Sequence, residues 1–286
     1  MRQAVVISLL LAGILAMSDC ARDKGGEAAK TLKDINVIDE SNLSSLMETN
    51  GDPNEAVAFF AKTSAENPDR IDLKRSLARS LVRAQKPVEA AKVWREVAYG
   101  PQGISEDHVA LADALIRNND WKGAAAELNT IPPTHETFER YRLEAMVADS
   151  TKNWKKADSF YETAFGLTTK PSSVLNNWGY SKLTRGDFAG AEKLFGQALT
   201  YDRTSFTSKN NLVLARSAQR RYDMPNVPMT QTERAELLYT AALTAIKQGD
   251  VTIGKTLLHE AVDTHPQYFE EAARALATLE GTVIKG

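Results

Sequence analysis

The sequence is short of several residue types, and each shortage excludes a class of protein. A single cysteine among 286 residues excludes an internal disulfide framework and a zinc site built from several cysteines. Glycine and proline number only 16 and 10, which excludes collagen-like and linker-type chains. The formal net charge of −2 argues against a nucleic-acid binder held by phosphate contacts. Abundant alanine with little glycine and proline instead favours helix.

Long apolar runs are also scarce, and the one that stands out lies at 4–17, directly after the positive charge of Arg2. The run is shorter than the ~20 residues of a membrane span and is typical of a bacterial export signal. A buried N-terminal helix is the alternative. We predict a signal peptide at 1–19, followed by a polar tether at 20–36.

The only cysteine follows this signal in the run Met17-Ser18-Asp19-Cys20. The run resembles the end of a bacterial lipoprotein signal, in which the cysteine becomes the lipidated first residue of the mature protein. Asp19 departs from that pattern, which has a small residue there, so a cleaved and soluble periplasmic protein is the alternative. The resemblance implies that Cys20 is a lipid anchor, and Ala21 after it implies the periplasmic face of the outer membrane. Acyl chains on this residue provide the anchoring free energy.

A repeat organises the rest of the chain. Small residues recur 33 or 34 positions apart, at Ala56, Ala90, Ala124, Ala157 and Ala191. A polar turn residue precedes each by four positions, and a large apolar residue follows each by four positions. Such small residues let two antiparallel helices approach closely, while the large residues fill the space between them.

This pattern resembles the tetratricopeptide repeat, a helix-turn-helix of 34 residues. The clearest repeat, 172–205, has Trp178, Gly179, Ala191 and Phe195 at signature positions. The resemblance implies an all-α fold, a tetratricopeptide-repeat superhelix (α-solenoid) of about six to seven helix pairs with a C-terminal capping helix at 268–280. The predicted repeats begin near Val37, Ile71, Ser105, Phe138, Ser172, Phe206 and Ala235.

Proline interrupts the sixth repeat, because Pro225 and Pro228 are incompatible with a regular second helix. We therefore predict a main repeat array at 37–223, an irregular linker at 224–234, and a C-terminal region at 235–286 with one repeat and the capping helix. A conventional helical bundle, the alternative fold, has no need of a fixed 34-residue register.

Patterns of catalytic residues are also missing. The histidines His108, His135, His259 and His265 are scattered, and no HExxH, CxxC or GxSxG motif and no glycine-rich phosphate loop is present. We predict that the chain is not an enzyme and uses no cofactor or metal.

Stacked helix pairs build an extended concave surface, which binds partner proteins or peptides. In tetratricopeptide repeats the first helix of each pair lines this groove. Its positions here select Arg75, Arg79, Arg142, Met146, Asn176, Asn177, Tyr180, Asn210 and Asn211. Amides suit hydrogen bonding to a peptide backbone, and arginines suit pairing with a carboxylate. The alternative is that the asparagines cap local backbone and that the arginines are solvated.

The signal with Cys20, the repeat at 172–205 and the following helix NNLVLARSAQRRY resemble the tight-adherence (Tad/Flp) pilus assembly lipoproteins, the TadD-type family. In that family an irregular break follows this helix, as here. The resemblance implies a pilotin-like, non-catalytic outer-membrane lipoprotein whose groove holds a secretin or another pilus-assembly component. A different envelope scaffold, or a regulatory module of an envelope enzyme, is the alternative.

Overall fold

The computed structural model describes residues 43–281. Within this range the chain forms fourteen α-helices and no β-strand. The predicted signal peptide at 1–19, the tether at 20–36 and the lipid anchor Cys20 lie outside the described residues.

The helices follow one another with short connections. They are α1 (43–49), α2 (Pro53–Glu66), α3 (Ile71–Arg83), α4 (Pro87–Ala98), α5 (Ser105–Arg117), α6 (Trp121–Leu128), α7 (Phe138–Ser150), α8 (Trp154–Gly166), α9 (Ser172–Thr184), α10 (Phe188–Tyr201), α11 (Phe206–Ser217), α12 (Gln231–Lys247), α13 (Val251–Thr264) and α14 (Glu270–Glu280). In the described range they make six helix-turn-helix pairs, with α11 lacking a second helix and α14 following the last pair.

The predicted register is confirmed by the helix boundaries. Five predicted repeat starts, Ile71, Ser105, Phe138, Ser172 and Phe206, are the first residues of helices. Four of the polar turn residues cap the second helices that follow them: Asp52, Asp120, Asn153 and Asp187. For example, Asp120 accepts a hydrogen bond from the Gly123 N–H at 2.8 Å, and Asp187 accepts one from the Gly190 N–H at 2.9 Å. Such caps satisfy backbone donors that have no partner within the helix.

The small signature residues permit close helix packing, as the repeat pattern predicts. A Cβ atom added to Gly179 of α9 would lie 2.7 Å from the ring of Phe195 on α10. Phe195 itself is fully buried. Any larger residue at 179 would therefore push the two helices apart.

The described chain divides into two compact parts, an N-terminal part at 43–107 and a C-terminal part at 108–281. In the N-terminal part, Ala56, Phe60 and Leu73 form a buried cluster. The C-terminal part has several clusters, among them one that joins Tyr161 of α8 to Val174 of α9.

The segment after α11 takes the place of a second helix. Residues 221–230 are irregular, and α12 begins at Gln231, within the segment 224–234 that the sequence predicts to be irregular. The helix begins there because Thr230 and Glu233 form a capping box, each side chain bonding the other residue's backbone N–H. The buried Lys209 of α11 reaches Glu233 at 3.0 Å and ties the two helices together.

The core continues across this irregular segment. Val213 of α11 belongs to the same buried cluster as Leu237 of α12 and Leu258 of α13. Tyr222 and Met224, from the segment itself, pack against that cluster. The break in the repeat pattern therefore lies within one hydrophobic core.

Candidate functional site

A concave pocket of about 470 Å³ lies along the first helices α7, α9 and α11 of the C-terminal part. We call it the aromatic pocket. It is lined by Trp121, Met146, Asp149, Ser150, Trp154, Tyr161, Asn176, Asn177, Tyr180, Ser181, Thr184, Thr207 and Asn211. Its surface is mainly apolar, with a few polar groups, which is the usual character of a binding site.

A second cavity of about 610 Å³ adjoins it. We call this the polar shelf, because most of its lining residues carry a hydroxyl or an amide group. It is formed by Lys170, Ser172, Ser173, Asn176, Asn177, Tyr201, Asp202, Ser205, Thr207 and Ser208. The two cavities share Asn176, Asn177 and Thr207, so they form one groove with an apolar end and a polar end.

Five of the predicted groove residues meet in the aromatic pocket: Met146, Asn176, Asn177, Tyr180 and Asn211. The repeat explains this convergence. Met146 and Tyr180 occupy equivalent positions one repeat apart, as do Asn177 and Asn211. Equivalent positions on successive first helices lie side by side in a stacked array.

The three pocket asparagines have different roles. The Asn176 side-chain oxygen accepts hydrogen bonds from the Asn211 amide at 3.1 Å and from the Ser208 hydroxyl at 3.3 Å, which joins α9 to α11. Asn211 is buried. Asn177 donates to the sulfur of Met146 at 3.2 Å, its one side-chain hydrogen bond within residues 43–281, and a thioether is a weak acceptor. Asn177 therefore keeps most of its hydrogen-bonding capacity for a ligand.

Tyr180 and Asn210, both predicted to line the groove, differ in their surroundings. Tyr180 is 54% exposed at the rim of the pocket. Asn210 does not line the pocket, because its oxygen accepts a hydrogen bond from the Thr240 hydroxyl of α12 at 2.8 Å. Asn210 thus links two helices at a different point of the fold.

Arg142 stands beside the pocket without lining it. Its guanidinium lies 3.5 Å from a carboxylate oxygen of Asp113 and 3.7 Å from the sulfur of Met146. Its charge is therefore directed toward Asp113.

The two remaining predicted residues belong to the N-terminal part and are paired within it. Arg75 donates two hydrogen bonds of 2.8 Å to the buried carboxylate of Asp107 and one of 3.1 Å to the Gln102 carbonyl. The hydrogen bonds to Asp107 raise the pKa of Arg75 above its usual value. Arg79 donates to Glu48 at 2.7 Å.

Several pocket residues were not predicted from the sequence. Trp121 and Trp154 are the first residues of second helices. The sequence feature that could have pointed to them is their equivalent position in two successive repeats, directly after the turn. Tyr161 is a signature core residue whose hydroxyl reaches the pocket, where it donates to Asp149 at 2.9 Å. Asp149 also accepts from the Ser181 hydroxyl at 2.7 Å. Burial raises the pKa of Asp149 and that of Tyr161.

No group of three or more His, Cys, Asp or Glu residues within 43–281 is arranged to hold a metal ion. In the same range, no helix is long and apolar enough to cross a membrane. Of the scattered histidines, His108 pairs with Glu127, and His259 lies 3.4 Å from Glu280.

Comparison with known proteins confirms the fold. No protein-family model and no curated protein matches this chain. A chain of the APC/C hetero-tetramer Cut9-Hcn1 is similar in structure, with a TM-score of 0.59 and 15% identity over 83% of this chain and 48% of that chain. This chain therefore spans about half of the Cut9-Hcn1 chain. A tetratricopeptide repeat protein from Parabacteroides merdae has a TM-score of 0.54 and 14% identity over 84% and 96% of the two chains.

A third structure, of pilF from Pseudomonas aeruginosa, has a TM-score of 0.48 and 16% identity over 74% of this chain and 98% of that chain. The first two similarities, together with the helix register, confirm the predicted tetratricopeptide-repeat fold. At these identities the likeness concerns the fold alone.

Proposed function

We propose that this protein is a non-catalytic scaffold that binds an extended segment of a partner protein in the groove formed by the aromatic pocket and the polar shelf. One observation carries the proposal: three successive first helices, α7, α9 and α11, line a single cavity that Trp121 and Trp154 of the second helices also border. Large aromatic surfaces provide anchoring area. Amides such as that of Asn177 provide a donor and an acceptor at one point.

The polar shelf supplies what the backbone of the bound segment needs. Every peptide unit carries a donor and an acceptor that lose water on binding and require new partners. Ser173 and Thr207 are exposed on the shelf, and Asn177 is half-buried at its junction with the aromatic pocket. In this arrangement the shelf hydrogen-bonds the backbone, while the pocket takes a side chain.

We further propose that the scaffold acts in tight-adherence pilus assembly, with a secretin or another assembly component as the partner. The support comes from the sequence: the export signal ending at Cys20, the repeat at 172–205 and the helix that follows it resemble the TadD-type lipoproteins. In this proposal the lipidated Cys20 holds the array at the periplasmic face of the outer membrane.

The pilus role is tested by deleting the gene in its host. We expect loss of surface pili and of secretin multimers, with both restored by the wild-type gene. Normal pili in the deletion strain would contradict the pilus role and leave the groove proposal in place.

The groove is tested in the same strain by complementation. The double variant Asn177→Ala/Tyr180→Ala should fold normally and fail to restore secretin multimers or to crosslink the secretin. Asn210→Ala is the matched control, since this residue is also a first-helix asparagine but lies outside the pocket. Unchanged crosslinking by the double variant would remove the groove from the proposal.

The anchor is tested with Cys20→Ser. We expect this variant to leave the membrane fraction and to appear in the soluble periplasm. Retention in the membrane fraction would rule out lipidation of Cys20 as the means of attachment.

A further inference from the structure

The aromatic pocket contains a carboxylate that has no cationic partner within residues 43–281. Asp149 accepts hydrogen bonds from Tyr161 and Ser181, and both of these groups are neutral. Among the described residues Asp149 forms no ion pair. Each carboxylate oxygen has a second lone pair, so both can still accept a further hydrogen bond.

Other shielded carboxylates of this fold are compensated. Asp107 is paired with Arg75, and Glu192 is paired with both Arg216 and Arg221. Taking a carboxylate out of water is costly unless a cation or several donors replace the lost hydration. Asp149 departs from this rule, and it does so beside an open cavity.

The neighbouring charges do not supply the missing cation. Arg142 of α7 is directed at Asp113, and Arg185 after α9 is paired with Asp158 of α8. Arg185 also lies 5.6 Å from the centre of the Trp154 ring, on which it is held. The burial that raises the pKa of Asp149 outweighs the opposing effect of Arg185.

The walls of the pocket suit a long cationic side chain. Aromatic rings attract cations through their electron-rich faces, and Trp121, Trp154 and Tyr180 border the cavity. Lysine and arginine carry an apolar stem that packs on such surfaces, with a charged head at its end. A charged head that reaches a carboxylate makes the stronger, charge-assisted kind of hydrogen bond.

From this charge complementarity we infer that the aromatic pocket receives a basic side chain, lysine or arginine, of the bound segment. The charged head meets the Asp149 carboxylate, and the stem lies against Trp121, Trp154 and Tyr180. The inference rests on the proposed peptide-binding function and adds to it the chemical class of the anchoring residue.

The test uses the full-length chain and four sets of labelled decapeptides. Each set has one central residue, which is lysine, arginine, norleucine or glutamate, and its other positions are randomised without basic residues. Norleucine has the lysine stem without the ammonium group. We expect the lysine or arginine set to bind at least about tenfold more tightly than the norleucine set, and the glutamate set to bind most weakly.

Two variants locate the effect. Asp149→Asn keeps the size of the side chain and should bring the lysine-to-norleucine ratio close to one. Glu162→Gln removes a carboxylate from the exposed surface of α8 and should leave the ratio unchanged. A ratio that survives Asp149→Asn overturns the inference. The wild-type ratio is measured without any variant, so the test holds even where Asp149→Asn fails to fold.

The outcomes separate this inference from the proposed function. Equal binding of the lysine, arginine and norleucine sets overturns the basic anchor and leaves peptide binding intact. The wild-type protein could bind none of the four sets more tightly than the Asn177→Ala/Tyr180→Ala variant does. That result overturns the peptide groove and, with it, the inference.

Discussion

In the N-terminal part, Arg75 and Arg79 of α3 are paired with carboxylates of the same chain, whereas in the C-terminal part the amide and aromatic side chains of α9 border an open pocket. Both helices are first helices of their repeats, and both were selected by the same positional rule. Arg75 and Arg79 meet Asp107 and Glu48. Tyr180 meets no such partner within residues 43–281 and remains exposed.

In these two helices, a first-helix side chain stays open where the neighbouring helices bring no complementary group to it. A third arginine of α3 also bonds within the N-terminal part, to α1 and to the loop after it. Arg83 donates to the carbonyls of Met47, Glu48 and Gly51 at 2.6 to 3.0 Å. There the charged side chains join neighbouring repeats, whereas on α9 the exposed side chain of Tyr180 borders an open pocket.

The largest expected effect comes from removing a paired arginine of the N-terminal part. Arg75→Met leaves the buried carboxylate of Asp107 without its cation, so we expect the free energy of unfolding to fall by about 3 kcal/mol. Urea unfolding, monitored through the circular dichroism signal of the helices, measures this free energy.

Arg79→Met is the control for that measurement. Its pair with Glu48 is much more exposed, so we expect a loss below about 1 kcal/mol. Equal losses of unfolding free energy for the two variants would contradict the conclusion that the Arg75–Asp107 pair is the more buried of the two.

The next largest effect distinguishes the two asparagines of α9, Asn176 and Asn177. Asn176→Ala removes the acceptor of the buried Asn211 amide and should lower the free energy of unfolding by about 1–2 kcal/mol. The same urea experiment measures it, and a change below the error of the fit would show that the Asn176–Asn211 bond does not hold α9 to α11.

Asn177→Ala should change the free energy of unfolding by less than about 0.5 kcal/mol, because the acceptor that its amide reaches, the Met146 thioether, is a weak one. It should nevertheless weaken binding of the peptide sets by severalfold. If this substitution destabilises the fold as much as Asn176→Ala does, the division into a structural and a binding asparagine is wrong.

The smallest effect concerns pH. Burial raises the pKa of Asp149 above its value in the unfolded chain, so the folded state holds this proton more tightly than the unfolded state does. The contribution of Asp149 to stability is therefore complete below the unfolded value near 3.8 and is lost as pH rises through the higher folded pKa.

Asp149→Asn should accordingly raise the urea midpoint slightly at pH 7, and the gain should disappear below pH ~3.8. The charges around the site, Arg142, Arg185 and Asp158, are unchanged by this substitution. A lower midpoint at pH 7 would mean that the hydrogen bonds to the carboxylate outweigh its burial.

Much of the fold could be predicted because the repeat is a local pattern. Residues such as Asp120 and Asp187 begin helices through bonds to backbone groups three positions away, and such bonds depend on little else. The start of α12 escaped prediction because Pro225 and Pro228 dominate the pattern before it. The capping box of Thr230 and Glu233 begins the helix four residues before the predicted Ala235.

The candidate site was predictable only in part. The 34-residue spacing alone indicates that Met146 lies beside Tyr180, and Asn177 beside Asn211. It does not indicate that Asn210 bonds to Thr240, or that Trp121 belongs to the pocket, because these placements depend on how neighbouring repeats pack.

By itself, the sequence determined most of the helix boundaries, the repeat register and the alignment of equivalent positions, since these arise from local capping, proline and the periodic placement of small and large residues. Only the tertiary structure decided which aligned positions stay open. A side chain is available to a partner when no complementary group packs against it, and Asp107 removes Arg75 from the surface in this way. The carboxylate of Asp149 stands beside an open cavity because the helices around it bring hydroxyl groups and aromatic rings instead of a cation.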